Sequence, residues 1–117
     1  MSSDQAKRIL VVEDDVDLRE LMVDLLRDRG YQAFSAGNGR EALAMARAHR
    51  PDLIVLDLLM PIMNGWQFRE AQLREPSLAH IPVVVVSDHA EHLKGAPYLR
   101  KPARIEHVLD AVHRYAN

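Results

Sequence analysis

Two unbroken apolar runs, Ile9–Val12 and Leu53–Leu56, constrain the fold most strongly, because each has the length of a strand and neither alternates with polar residues. Such runs are typical of strands that are buried on both faces of a parallel sheet. Each run ends in carboxylates: Glu13 and Asp14 follow the first, and Asp57 follows the second. The pattern therefore predicts a covered sheet with acidic side chains at the carboxyl ends of two strands.

The rest of the chain alternates strand-like runs with helical patterns, which predicts an α/β fold with a doubly wound parallel sheet. No linker, repeat or low-complexity stretch divides the 117 residues, so we expect a single domain over residues 1–117 with a disordered N-terminus over residues 1–6. The predicted strands are Arg8–Val12, Tyr31–Ala36, Leu53–Leu56, Ile81–Val86 and Tyr98–Arg100.

Four helices are predicted between or after these strands. The first has Asp15 as its N-cap and Gly30 as its stop, the second runs from about Arg40 to His49, and the third runs from Gly65 to about Arg74. The first helix has an apolar stripe of Leu18, Leu21, Met22, Leu25 and Leu26, and the last helix has one of Ile105, Val108, Leu109 and Val112.

Composition excludes several classes of protein. The formal net charge is -2 and the pI is about 6.3, which do not indicate a nucleic-acid or membrane surface. The chain has no cysteine, which excludes a disulfide framework and thiolate chemistry. No apolar run approaches the roughly 20 residues of a membrane span, and the first residues contain no signal-peptide core. We therefore expect a soluble, cytoplasmic protein.

Polar side chains collect at the carboxyl ends of the predicted strands. Glu13 and Asp14 follow the first strand, Asp57 the third, Ser87 the fourth and Lys101 the fifth. Crowded carboxylates need a compensating cation, and hard oxygen ligands favour Mg²⁺. A hydroxyl and an ammonium complete a set of groups that suits a phosphoryl group. The sequence therefore predicts Asp57 as a nucleophile that becomes an acyl phosphate.

The chain resembles the receiver domain of bacterial two-component response regulators. The resemblance runs from about Lys7 to Tyr115 and is carried by four motifs in order: Val11–Asp15, Leu56–Gly65, Val86–Ser87 and Tyr98–Pro102. It implies a flavodoxin-like sheet in the order 2-1-3-4-5. It also implies transfer of a phosphoryl group to Asp57 from a phosphohistidine on a histidine kinase or histidine phosphotransfer protein. The modified domain would then act on a downstream protein target, and not as an enzyme on other substrates.

The resemblance also implies a metal site. Mg²⁺ would be held by Glu13, Asp14, Asp57 and the backbone carbonyl of Leu59, with Asp14 as a direct ligand and Glu13 acting through water. The side chain of Leu59 would have no part in that contact.

Four further residues match positions that respond to the phosphoryl group in this family. Lys101 matches the phosphate-binding lysine, and Ser87 matches the hydroxyl that binds the phosphoryl group and drives the switch. Tyr98 matches the aromatic residue that changes rotamer with it. Pro102 matches a proline that follows a cis peptide bond and directs Lys101 into the site.

Each feature has a simpler interpretation when taken alone. Glu13–Asp15 can be an acidic helix start, Asn64–Gly65 an ordinary turn, and Lys101 a solvated lysine. Trp66 and Phe68 suggest a docking patch, but packing is the default for large aromatic residues. The histidines are scattered except for His89 and His92, at i, i+3, so surface positions are expected for them. The functional interpretation rests on the convergence of the polar residues at one edge of the sheet.

Two other classes of protein stay open at this point. A pseudo-receiver would keep the fold as an interaction module without phosphorylation, although none of the expected site residues is missing. A phosphatase of the haloacid-dehalogenase type also places an aspartate at the end of a strand. Those enzymes need a second aspartate two residues later, where this chain has Leu59.

The sequence departs from the family pattern in one region. Only 13 residues separate Ser87 from Lys101, whereas two loops, an average helix and the start of a strand need roughly 20. We therefore expect the helix between the fourth and fifth strands to be short or irregular. Asp88 also adds a negative charge beside the site. Since the last predicted helix closes the sequence, we expect the signal to leave through a protein-binding surface.

Overall fold

The computed structural model describes residues 6–88, 93, 95–101 and 104–116. Five strands form one parallel sheet: β1 (Arg8–Val12), β2 (Gln32–Ala36), β3 (Leu53–Leu56), β4 (Val83–Ser87) and β5 (Tyr98–Arg100). Four helices accompany them: α1 (Val16–Asp28), α2 (Gly39–His49), α3 (Gly65–Arg74) and α4 (Ile105–Ala116). The order β2-β1-β3-β4-β5 confirms the predicted topology.

The register of the central strands sets the position of the acidic residues. Val12, the last residue of β1, lies opposite Ala36 on one side and Leu56 on the other. One residue further on, the backbone N–H of Asp57 donates to the carbonyl of Val12 at 2.9 Å, and that of Glu13 donates to the carbonyl of Ala36 at 3.0 Å. Because both bonds lie at the carboxyl edge of the sheet, Glu13 and Asp57 are neighbours.

Successive side chains of each strand point to opposite faces of the sheet, so the hydrophobic core consists of two clusters, one on each face. On one face, α1 and α4 cover the cluster that contains Ile9, Val11 and Val84. On the other face, α2 and α3 cover the cluster that contains Leu10 and Val85. Both faces of the central strands are therefore buried, as their continuous apolar sequence predicts.

Helix α1 confirms the predicted cap and corrects the predicted stripe. The side chain of Asp15 accepts a hydrogen bond from the backbone N–H of Leu18 at 3.1 Å. The expectation that Leu21 lies in the buried stripe is wrong, because this side chain is 49% exposed while Val23 is buried. The buried face of the helix contains Met22, Val23 and Leu26, so Leu21 lies on the side that faces solvent.

Local chemistry also fixes the other boundaries. Asn38 caps α2, and Asn64 forms a capping box with Gln67 at the start of α3. Strand β4 begins at Val83 and not at Ile81 as predicted. Pro82 has no backbone N–H to donate, but its carbonyl accepts from the N–H of Ile54 at 3.0 Å, so pairing with β3 starts there.

Between β4 and β5 the described residues, 88, 93 and 95–97, form no helix, in agreement with a short or irregular connection. Leu93 is nevertheless buried against the α2 and α3 side of the core. Three expectations fall on residues outside the described ones: the disordered N-terminus over residues 1–6, of which only Ala6 is described, the pair His89 and His92, and the role of Pro102. Among the described helices, none is long and apolar enough to cross a membrane.

Candidate functional site

Three carboxylates meet at the carboxyl edge of the sheet. Glu13, Asp14 and Asp57 each offer an oxygen, and these oxygens lie within 4.8 Å of one another. Glu13 is 1% exposed and Asp57 is 5% exposed, whereas Asp14 is open to solvent. The site therefore has two buried carboxylates, Glu13 and Asp57, and one exposed carboxylate, Asp14.

Lys101 provides a cation next to the two buried carboxylates. Its Nζ lies 2.6 Å from Oε1 of Glu13 and 3.5 Å from Oδ2 of Asp57. The backbone N–H of Lys101 donates to the carbonyl of Ser87 at 2.8 Å, which extends the β4–β5 pairing and positions the lysine. Burial disfavours its ammonium form, but the hydrogen bond to Glu13 and the adjacent negative charges raise the pKa of Lys101 above its ordinary value.

The pKa of Asp57 is raised from 3.8 to about 7. Burial is the largest cause, and the charge of Glu13 is the next. Lys101 and a hydrogen bond from the backbone N–H of Leu59 lower the pKa, and Asp14 raises it slightly further. One ammonium therefore does not compensate for the three carboxylates, and an added cation would favour ionised Asp57.

Backbone contacts hold the Glu13 side of the site. One carboxylate oxygen of Glu13 accepts from the backbone N–H of Asp15 at 3.1 Å. The guanidinium of Arg19, one turn into α1, donates to the backbone carbonyl of Glu13 at 2.8 Å. Arg19 was not among the predicted site residues, because a helical arginine gives no signal in sequence that distinguishes it from a solvated one.

Gly65 brings the start of α3 against the strand end that carries Asp57. A Cβ atom at Gly65 would lie 2.6 Å from the carbonyl oxygen of Asp57 and 2.7 Å from the Cα of Leu58. The N–H of Gly65 also donates to the carbonyl of Leu58 at 2.8 Å. Glycine is required here for close approach, so the turn chemistry read from Asn64–Gly65 also serves the geometry of the site.

The remaining predicted site residues lie around this centre. Ser87 is buried at the last position of β4, and the hydroxyl of Tyr98 donates to the Ser87 carbonyl at 3.0 Å. The side chain of Leu59 is 48% exposed, so it does not enter the carboxylate cluster. Asp88 is also exposed, and it lines a cavity between α1 and α4 together with Lys101.

The donors fit a hard cation. All three clustered side chains present carboxylate oxygens, which are the ligands that Mg²⁺ and Ca²⁺ prefer. In the part of the chain that the structure describes, this is the one group of three such residues placed to hold a metal ion, and no histidine joins it.

Residues 9–113 match the family of response regulator receiver domains. The polar-differentiation response regulator DivK of Brucella anthropi is 32% identical over 119 residues, which cover 93% of this chain and 95% of that protein. Protein Rrf1 of Nitratidesulfovibrio vulgaris is 41% identical over 83 residues, 71% of this chain. The match spans 60% of Rrf1, less than two thirds of that relative's length.

The fold of this chain is also similar to that of a solved response regulator structure. The chemotaxis response regulator CheY4 of Vibrio cholerae superposes with a TM-score of 0.85 at 30% sequence identity. The superposition covers 95% of this chain and 99% of that chain. The likeness thus extends over nearly the whole sheet and its helices.

Proposed function

Because this chain belongs to the family of response regulator receiver domains, which accept a phosphoryl group on an aspartate, we propose that Asp57 is the acceptor. One observation carries the assignment: Asp57 is the buried carboxylate at the end of β3, between the acidic pair that follows β1 and the ammonium that follows β5. Its Oδ2 lies 3.5 Å from Nζ of Lys101, and its carboxylate lies within the cluster with Glu13 and Asp14.

In the proposed reaction, a carboxylate oxygen of Asp57 attacks the phosphorus of a phosphohistidine on a donor protein. The new O–P bond forms as the P–N bond breaks, and the imidazole leaves with the electron pair of that bond and takes up a proton. The product is an acyl phosphate on Asp57. Hydrolysis by water returns the carboxylate and releases inorganic phosphate, so catalysis is limited to the domain's own phosphorylation and dephosphorylation.

Lys101 and Ser87 act on the phosphoryl oxygens in this proposal. The ammonium of Lys101 neutralises developing charge, and the Ser87 hydroxyl donates a hydrogen bond to the group after transfer. Tyr98 is joined to the same strand end through its bond to the Ser87 carbonyl, so we propose that it follows any movement of Ser87.

Glu13, Asp14, Asp57 and the backbone carbonyl of Leu59 would hold Mg²⁺. The metal, when bound, supplies positive charge that offsets the carboxylates and the incoming phosphoryl oxygens. Two features support this choice: the oxygen-only donor set, and a pKa of Asp57 that burial and then the charge of Glu13 raise to about 7.

A receiver domain implies a phosphodonor and a downstream target. We propose a histidine kinase or a histidine phosphotransfer protein as the donor and a protein as the target. A cytoplasmic location and a single domain over residues 1–117 remain predictions from composition and from the absence of an internal linker.

Intact-mass measurement after incubation with acetyl phosphate and Mg²⁺ tests the proposal. We expect a gain of one phosphoryl group in the parent, no gain in Asp57→Asn, and a normal gain in Asp24→Asn, an exposed aspartate on α1. Labelling of Asp57→Asn would move the acceptor to another residue. No labelling of a folded parent would favour the pseudo-receiver alternative.

A phosphatase of the haloacid-dehalogenase type finds no support in this site. The acid/base aspartate of such an enzyme would stand at position 59, where the chain has an outward-facing leucine.

A further inference from the structure

The loop of residues 58–64, which follows Asp57 and leads into α3, contains a strained turn. Ile62 has a φ of 69°, in the left-handed region, and the backbone N–H of Met63 donates to the carbonyl of Pro61 at 2.7 Å. A hydrogen bond across three residues with a positive φ at the central one is the rare form of the γ-turn. Isoleucine is branched at Cβ, so this backbone conformation is unfavourable for it.

Packing of the Ile62 side chain does not explain the conformation. The side chain is 72% exposed, so little of it packs against the rest of the protein. A strained backbone conformation persists only where the surrounding structure imposes it. The constraint therefore acts on the backbone on either side of Ile62.

The start of α2 holds the residue that follows Ile62. The backbone N–H of Gly39, the first residue of α2, donates to the carbonyl of Met63 at 2.8 Å. A Cβ atom at Gly39 would lie 2.7 Å from that carbonyl oxygen and 2.7 Å from Cγ of Met63, so a larger residue would push the loop away. The Met63 side chain also packs against the core cluster on the α2 and α3 face.

The other end of the loop is fixed beside the proposed phosphoryl acceptor. The N–H of Gly65 donates to the carbonyl of Leu58, and the N–H of Leu59 donates to the carboxylate of Asp57. Only two residues separate Leu59 from the strained turn. If Ile62 relaxed to a negative φ, the peptide groups before it would reorient, including the carbonyl of Leu59.

We propose that Gly39 is a positioning residue for the metal site. Its contact with Met63 keeps Ile62 in the left-handed conformation and thereby holds the Leu59 carbonyl in the orientation that binds the cation. This inference rests on the proposed Mg²⁺ site, and it makes the affinity of that site depend on a helix that supplies none of its ligands.

Mg²⁺ titrations followed by amide NMR, with a melting temperature for each variant, test this role. We expect Gly39→Ala to weaken Mg²⁺ binding about 10-fold, an effect typical of residues that orient metal ligands. Gly37→Ala is the matched control, because the added Cβ would meet only the flexible end of Arg19, at 3.0 Å. Its Mg²⁺ affinity should change less than about twofold, since this change leaves the loop in place.

A second control separates positioning from general loss of stability. Leu43 is a buried core residue of α2, and Leu43→Ala should lower the melting temperature by leaving a cavity. We expect its Mg²⁺ affinity to stay within about twofold of the parent, because the cavity does not release the loop. If Gly39→Ala does not fold, Met63→Gly replaces it, since it loosens the same contact without a clash and should also weaken Mg²⁺ binding.

Ile62→Asn tests the strain directly. Asparagine tolerates the left-handed region, so this variant should melt about 3–6 °C higher than the parent with nearly the same Mg²⁺ affinity. Added to Gly39→Ala, it should restore the affinity at least ~3-fold, because the turn then gains little by relaxing.

Several results would overturn the positioning role. Mg²⁺ binding by the parent and by Gly39→Ala with equal affinity would do so and would leave the proposed metal site intact. Equal losses of affinity in Gly39→Ala and Leu43→Ala would show general destabilisation instead of positioning. A lower melting temperature for Ile62→Asn would contradict the strain. A folded parent that binds no Mg²⁺ would refute the proposed metal site itself, and this inference with it.

Discussion

Replacing Asp57 with asparagine is expected to stabilise the protein when metal is absent. Burial, and then the charge of Glu13, raise the pKa of Asp57 from 3.8 to about 7, which means that the folded chain resists its ionisation. Asparagine removes the charge but keeps the size of the side chain, and its amide oxygen can still accept from the N–H of Leu59. Lys101 keeps its 2.6 Å contact with Glu13.

The size and sign of the effect follow from linkage between protonation and folding. As the pH rises from 3.8 to about 7, Asp57 ionises in the unfolded chain but stays protonated in the folded one, so the free energy of unfolding falls through this window. The difference between a pKa of 3.8 and one of about 7 corresponds to about 4 kcal/mol of unfolding free energy at most. Relaxation of the site and entry of water reduce the cost of a buried charge, so we expect Asp57→Asn to gain about 1–3 kcal/mol at pH 8 and under about 0.5 kcal/mol at pH 4.

Denaturant unfolding in a chelating buffer at several pH values measures this difference. Asp24→Asn serves as the control, since it removes one charge from an exposed position on α1. The stability gain of Asp57→Asn should grow between pH 4 and pH 7 and then level off, while the control stays within about 0.5 kcal/mol of the parent. A gain that is the same at pH 4 and pH 8, or no gain at either, would refute the argument that ionisation of a crowded carboxylate is the cause.

Three further outcomes are expected. Gly65→Ala should lower stability by about 1–3 kcal/mol, because its Cβ would lie 2.6 Å from the Asp57 carbonyl oxygen, and it should slow labelling by acetyl phosphate; unchanged unfolding and labelling would contradict this. Mg²⁺ should raise the melting temperature of the parent more than that of Asp57→Asn, and equal shifts in a melting assay would argue against Asp57 as a ligand. Asn64→Ala should cost about 0.5–2 kcal/mol in denaturant unfolding by breaking the capping box with Gln67, whereas Gln32→Ala on edge strand β2 should cost less.

The features that sequence predicts well are those set by neighbouring residues. The strand ends at Val12 and Leu56 follow from continuous apolar runs that stop at carboxylates, and they fix which residues reach the edge of the sheet. Asp15 is recognised as a cap because its side chain bonds within three residues, whereas Asn64 is interpreted in the sequence only as part of a turn and its cap is a finding of the structure. Because the strands are parallel, their carboxyl ends meet at one edge of the sheet, so the sequence predicts that the acidic residues are close together but not the distances between them.

Features that depend on packing were not predicted. Leu21 has the spacing of a buried residue, but the orientation of α1 on the sheet leaves it exposed and buries Val23. Gln72 resembles a surface residue in sequence, yet it is fully buried and its Nε2 donates to the carbonyls of Leu78 and Ile81, both at 2.9 Å. Such bonds join parts of the chain that no local pattern relates, so they become visible only when the elements are assembled.

The charge balance of the site is the clearest example of information that only the assembled fold contains. The sequence predicts one lysine near three carboxylates, but the structure shows that its ammonium lies closer to Glu13, at 2.6 Å, than to Asp57, at 3.5 Å. Lys101 lowers the pKa of Asp57, but burial and the charge of Glu13 outweigh it and raise the pKa to about 7. A phosphoryl group on Asp57 would offer Lys101 a stronger partner than Glu13, and a metal ion would replace the charge that Glu13 then loses. We therefore expect Lys101 to move from Glu13 towards the phosphoryl oxygens when Asp57 is modified and a metal ion is bound.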